Sequence, residues 1–237
     1  MSPAGAPPGA LITFEGLDGT GKSTQARRLA RWLERQGVPV LHTRQPGGTA
    51  AGRRMRAIVL GHERRGVRLA PEAELLLMMA DRAQHVSEVV RPALEEGRWV
   101  ISERFADSSV AYQAWGLGID AELVERLNRL ATGGLVPDLT LWLDLPSGVL
   151  PGRRQRPRRD RIEGRDEGFF ARVREGYLAL AAAYPERIVR LDVTGSSRDR
   201  VEALVRTAVM ERLGRRLQEV TGRTRPNQGG EEAGALS

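Results

Sequence analysis

The chain has 237 residues, 41% of them apolar and none of them cysteine, which allows one substantial core and excludes disulfides and thiolate metal sites. Thirty-seven lysines and arginines against thirty aspartates and glutamates give a formal charge of +7, which favours an anionic partner without choosing between nucleic acid and a nucleotide. No apolar run is long enough to span a bilayer, and positions 1–9, rich in Pro, Gly and Ala, lack the basic start of a signal peptide and read as a flexible leader.

In chain order, short β-rich apolar runs predict strands at Leu11 to Glu15, Val38 to Thr43, Trp99 to Ser102, Leu139 to Leu145 and Ile188 to Leu191. Helical spacing separates them. Ala26, Leu29, Ala30 and Leu33 form one apolar stripe, and Leu75, Met78, Met79 and Arg82 continue into Val86, Val89 and Val90 as another. Pro71 suits the first turn of that second helix, and Pro92 marks its exit or a kink. A last helix follows Ser196 and Ser197, with Val201, Leu204, Val205, Ala208 and Val209 on one face. The alternation implies an α/β fold, a parallel five-stranded sheet with helices on both faces. Beyond about Val220 the chain is too poor in apolar residues to order itself, and the domain is expected to span 10–214 with a disordered tail at 215–237.

Between the first strand and the first helix lies Gly16-Leu17-Asp18-Gly19-Thr20-Gly21-Lys22-Ser23, followed by Thr24. Glycines there free backbone N–H groups for a polyphosphate, the helix N-terminus adds positive potential, Lys22 reaches the β- and γ-phosphates and Ser23 holds Mg²⁺. The pattern is that of a phosphate-binding loop for a polyphosphate and its metal, against the plainer reading of a glycine-rich turn that binds nothing.

Thr43-Arg44-Gln45-Pro46-Gly47-Gly48-Thr49 ends the second strand, where Arg44 either forks onto a phosphate or belongs to a plain strand-to-helix turn. Ser102-Glu103-Arg104-Phe105 ends the third. Glu103 can hold water on Mg²⁺ beside an Arg104 that binds phosphoryl oxygens, or the two form a surface ion pair. The hydroxyls of Ser108 and Ser109, with Tyr112 and Gln113, can read a sugar or base, although capping by Asp107 or Ser108 would also explain the helix start. Six arginines between Arg153 and Arg161 suit either a mobile lid over a nucleotide or a patch that tracks nucleic-acid phosphates.

Together, Phe14 to Thr24, Thr43 to Thr49, Arg104 with Ser108-Ser109 and Ala111-Tyr112-Gln113, Pro137 to Asp144, and Asp160-Arg161-Ile162-Glu163 resemble the thymidylate kinases, over about Leu11 to Val209. The resemblance implies a P-loop, nucleoside-monophosphate-kinase-like fold with a short Arg-rich lid at about 150–164. It implies ATP- and Mg²⁺-dependent phosphorylation of dTMP to dTDP by a cytoplasmic homodimer that binds neither nucleic acid nor membrane. By resemblance, Asp18 meets the substrate sugar, Arg44 and Arg104 the acceptor phosphate, with Pro46 in the same turn, and Arg82 the thymine edge. Tyr112 favours deoxyribose, Ser108, Ser109 and Gln113 line the same subsite, and Thr194 and Gly195 lie against adenine. Lys22, Arg104, Arg153 and Arg156 carry the charge of the transferred group; Gly19, where one branch has arginine, assigns the catalytic arginine to the lid. The chain departs from the family pattern at Gln45 for Glu, Glu103 for Asp, Phe105 for Tyr or His, Met78 for a base-stacking Phe, and Leu150-Pro151 at the lid entry. These leave a kinase for another pyrimidine nucleotide as the nearest alternative, and a nucleic-acid-binding P-loop NTPase as a remoter one.

Overall fold

A computed structural model describes residues 9–61, 69–146 and 160–222. Five strands, β1 (Leu11–Glu15), β2 (Val40–Arg44), β3 (Trp99–Glu103), β4 (Leu139–Asp144) and β5 (Ile188–Asp192), form one parallel sheet in the order β2-β3-β1-β4-β5. β1 lies centrally, so successive crossovers leave it toward both edges and open a crevice at the carboxyl ends. Phe14 is registered with Glu103 on one side and with Leu141 on the other.

Three of the strands are buried through nearly their whole length, which is why they read as continuous apolar runs rather than alternating ones. On one face, Leu29 and Leu33 of α1 (Lys22–Arg35) and Val205 and Val209 of α8 (Arg198–Thr221) pack on Ile12, Phe14, Ile101 and Leu141. Against the other face lie α3 (Pro71–His85), α6 (Ala121–Thr132) and α7 (Glu167–Ala183), around Trp142, Tyr112, Phe169 and Tyr177. α2 (Ala50–Leu60) packs on α3. No helix among the described residues is long and apolar enough to cross a membrane.

Several boundaries differ from expectation for identifiable reasons. Val38 lies in the turn that closes α1 and not in β2: its N–H bonds the Leu33 carbonyl at 3.1 Å after Gly37 adopts a positive φ of 88°, a helix-terminating pattern. Pro92 does not end its helix. The turn Val86–Val90 is π-type, with Arg91 N–H bonded to the carbonyl of Val86, and α4 (Arg91–Glu95) follows directly. Asp107 does not cap α5 (Ala106–Ser109); its carboxylate is buried and forms a two-pronged pair with Arg187 at 2.7 and 2.8 Å. α8 runs past position 214 to Thr221, because Leu217 still reaches the core and Arg216 pairs with Asp138. Gly9, placed in the leader by sequence, is buried with its N–H on the Leu94 carbonyl. The rest of the leader and of the tail beyond 222 lies outside the described residues.

Candidate active site

The phosphate loop leaves β1 at Gly16 with a φ of 126°, and a Cβ there would stand 2.4 Å from the Leu143 carbonyl oxygen, so only glycine fits. Lys22, buried at the start of α1, donates from Nζ to the carbonyls of Gly16 and Leu17 at 3.0 and 2.8 Å and to Asp18 at 3.3 Å. Burial, with Arg104 nearby, pushes its pKa down to about 8. Thr20 ties back to the Leu17 carbonyl at 2.9 Å. Burial raises the Asp18 carboxyl, but Arg104 and Lys22 outweigh it and hold it well below the usual range.

The loop borders a groove of about 900 Å³ that runs from Arg44 and Arg104 past Gly19, Ser23 and Thr24 to Gly195, Arg198 and Val201. Thr194, expected beside Gly195, is exposed and not part of the groove wall; its N–H caps Asp192 at 2.9 Å. A second recess opens off the groove and shares Asp18, Gln45, Arg56 and Arg104 with it. Pro46, Met78, Arg82, Ser108, Ser109, Tyr112 and Gln113 all line that recess. Arg153 and Arg156 lie outside the described residues.

Within the recess, the side chains are held by one another. Arg104 Nη2 bonds Asp18 at 2.8 Å and the Tyr112 hydroxyl at 3.1 Å, and Nη1 bonds Ser108 Oγ at 3.1 Å. Arg82 is buried, donating to Gln45 Oε1, Ser109 Oγ, Asn128 Oδ1 and the Phe105 carbonyl at 2.6–3.1 Å. Burial lowers its pKa to about 10, against the pull of Glu15 and Asp81. Ser108 and Ser109, expected to touch substrate, thus each accept from an arginine. Tyr112 sits in a π-type turn, Val110–Gly116, with its ring edge-on to Phe169 and Tyr177 and beneath the Arg104 guanidinium at 4.8 Å.

Ser23 Oγ is in close contact with Glu103 Oε2, whose other oxygen meets His42 Nε2 at 3.0 Å. Burial raises the Glu103 carboxyl, yet these two hydrogen bonds keep it below its ordinary value and ionised. A hydroxyl and one ionised carboxylate at the loop suit Mg²⁺, which keeps several waters and needs few protein ligands.

Sequence reasoning missed Arg56, which reaches both cavities from α2, donates to the Pro46 carbonyl at 3.0 Å and lays its stem where a Cβ on Gly47 would stand 2.9 Å away. It gave no role to Asp160, which borders both cavities, and missed Glu74, a buried carboxylate that joins Gln113, Arg161 and Arg165 at 3.0, 2.7 and 2.6 Å. Gly47 was the one local signal for Arg56: a turn so bare leaves room for another side chain.

Residues 14–204 match the thymidylate kinase family model. The thymidylate kinase of Alkalilimnicola ehrlichii is 49% identical over 188 residues, 78% of this chain and 85% of that protein. That of a Synechococcus strain is 48% identical over 203 residues, 86% of this chain and 96% of that protein. The crystal structure of thymidylate kinase from Ehrlichia chaffeensis superposes with a TM-score of 0.71 at 33% identity, covering 86% of this chain and 99% of that one. With the loop, the paired cavities and these likenesses in agreement, the chain belongs to the thymidylate kinase family.

Proposed function

We propose that the protein transfers the γ-phosphoryl group of ATP to the 5′-phosphate of dTMP, giving dTDP. One observation carries this reading: Arg56 and Arg104 line both the phosphate-loop groove and the recess that opens off it, with Arg44 on the groove side, so two anions can be presented to each other across a cationic junction.

The chemistry asks for alignment and charge neutralisation rather than proton abstraction, since the attacking group is already a phosphate oxygen. Lys22, now folded onto its own loop, turns its ammonium to the donor phosphates. Arg44 and Arg104, joined by Arg56, fix the acceptor phosphate in line with it, and the loop amides oppose the charge that spreads over the transferred group. Arg82 and Met78 take the base and Tyr112 crowds the sugar C2′. Arg153 and Arg156 are assigned to the transferred group from the lid. Ser23 and Glu103 are the residues that would hold Mg²⁺, which would offset the negative charge of the donor phosphates.

The reading extends to a homodimer in a reducing cytoplasm. Ile58 of α2, Leu76 of α3 and Leu123 and Leu130 of α6 are exposed large apolar side chains on three neighbouring helices, and the chain has no cysteine. Solution mass tests the dimer. The acceptor is tested by a coupled assay with ATP and Mg²⁺ across dTMP, dUMP, dCMP, UMP and thymidine: dTMP is expected to be fastest, and preference for any other acceptor overturns the assignment.

A further inference from the structure

Arg104 is the one non-glycine residue with a positive φ among the described residues, at 69°. A side chain in that region is uncommon and persists where its surroundings impose it. Three hydrogen bonds do so here. Arg104 N–H continues the sheet ladder to the Phe14 carbonyl at 2.9 Å, Ser102 Oγ donates to the Arg104 carbonyl at 2.7 Å, and the next amide, Phe105 N–H, donates to Glu15 Oε1 at 2.8 Å. The reversal turns Arg104 out of the sheet edge and into the junction between the two cavities.

Glu15 meets the same arginine a second time through a side chain. Its Oε2 accepts from Ser108 Oγ at 2.5 Å and from the Tyr177 hydroxyl at 2.7 Å. Because Ser108 gives its proton to Glu15, its lone pairs face Arg104 Nη1, which donates at 3.1 Å. One carboxylate therefore fixes both the backbone and a guanidinium contact of Arg104. Glu15 is fully buried and lines neither cavity, so it touches no substrate.

We propose that Glu15 is a positioning residue, setting the direction of Arg104 toward the acceptor phosphate by clamping the Phe105 amide and orienting the Ser108 hydroxyl. The proposal rests on Arg104 binding that phosphate, and its test separates the two. Steady-state kinetics with dTMP and ATP varied separately are compared for E15Q, R104A and the double variant, with thermal midpoints alongside. Glutamine retains an oxygen for the Phe105 amide but presents an NH₂ group to two hydroxyl donors. E15Q is expected to raise the KM for dTMP about tenfold, as one hydrogen bond to a charged group is worth, while the KM for ATP stays within about twofold. In the R104A background the same change is expected to have no further effect on the dTMP KM. An E15Q enzyme with an unchanged dTMP KM, or an equal penalty with and without Arg104, overturns the proposal. R104A with an unchanged dTMP KM overturns the underlying reading of Arg104 instead. Should E15Q not fold, Y177F removes one donor from Glu15 without touching either cavity: a selective rise in the dTMP KM supports the proposal, and a loss of thermal stability with both KM values unchanged refutes it.

Discussion

Gln45 Nε2 lies 2.8 Å from His85 Nδ1, in a chain of contacts that reaches Arg82 on one side and Thr43 on the other. Because Arg82 Nε–H donates to Gln45 Oε1, the amide must present its NH₂ group to His85. Nδ1 is then the acceptor, and the ring proton sits on Nε2 and points to Thr43 Oγ1 at 2.7 Å. Burial, with Arg82 beside it, pushes the His85 pKa from 6.5 down to about 4. The unfolded chain therefore binds a proton that the folded chain refuses between those two values, and stability falls as pH drops through that window. The loss is expected to be about 3 kcal/mol between pH 6.5 and pH 4. Denaturant unfolding at stepped pH measures it, and H85N is expected to flatten that slope.

Gln45→Glu places a carboxylate between Arg82 and His85. The imidazolium then gains an anionic acceptor, so the His85 pKa is expected to rise by about one unit or more. A ¹⁵N–¹H titration of the imidazole reads this directly.

Lys22→Ala is expected to lower turnover by about 10²-fold or more while leaving the thermal midpoint unchanged or higher. The sign follows from its pKa, which burial depresses from 10.5 to about 8, so the folded state bears a cost in holding the charge. Single-turnover rates and calorimetry on one preparation check both halves.

Glu103→Ala removes the carboxylate beside Ser23, and the Mg²⁺ concentration for half-maximal rate is expected to rise about 10- to 100-fold. A Mg²⁺ titration at saturating dTMP and ATP decides it.

Arg187→Ala strands the buried Asp107 carboxylate, whose remaining side-chain partner is Thr140 at 2.9 Å. Breaking a buried pair from one side costs about 3–5 kcal/mol, measured here by urea unfolding. D107N/R187A is expected to recover part of the loss.

Legibility followed the range of the interactions. The phosphate loop was plain because Gly16, Gly21, Lys22 and Ser23 act within one turn of chain, and β1, β3 and β4 were plain because their burial on both faces leaves unbroken apolar runs. Ser108 and Ser109 were grouped by sequence with Tyr112 and Gln113, and all four line one recess, but their use as rests for Arg104 and Arg82 depends on partners that only the tertiary fold brings together. Asp107 read as a cap because capping is a local property, whereas Arg187 stands 80 positions away. Arg56 carried no motif at all, since an arginine on a surface-facing helix stripe looks the same whether it faces solvent or a phosphate.

Glu74 binds Gln113 with one oxygen and Arg161 and Arg165 with the other, and Arg161 also reaches the Val59 carbonyl at 2.9 Å. The segment that carries Arg161 and Arg165 is in this way bolted to the same helix that supplies Met78 and Arg82. Any swing at 160–165 must tear guanidinium groups from a carboxylate that is only 1% exposed, or drag α3 with it. Residues 160–165 and α3 therefore act as one unit, and whatever enters the recess meets Met78, Arg82 and Ile162 as a single wall.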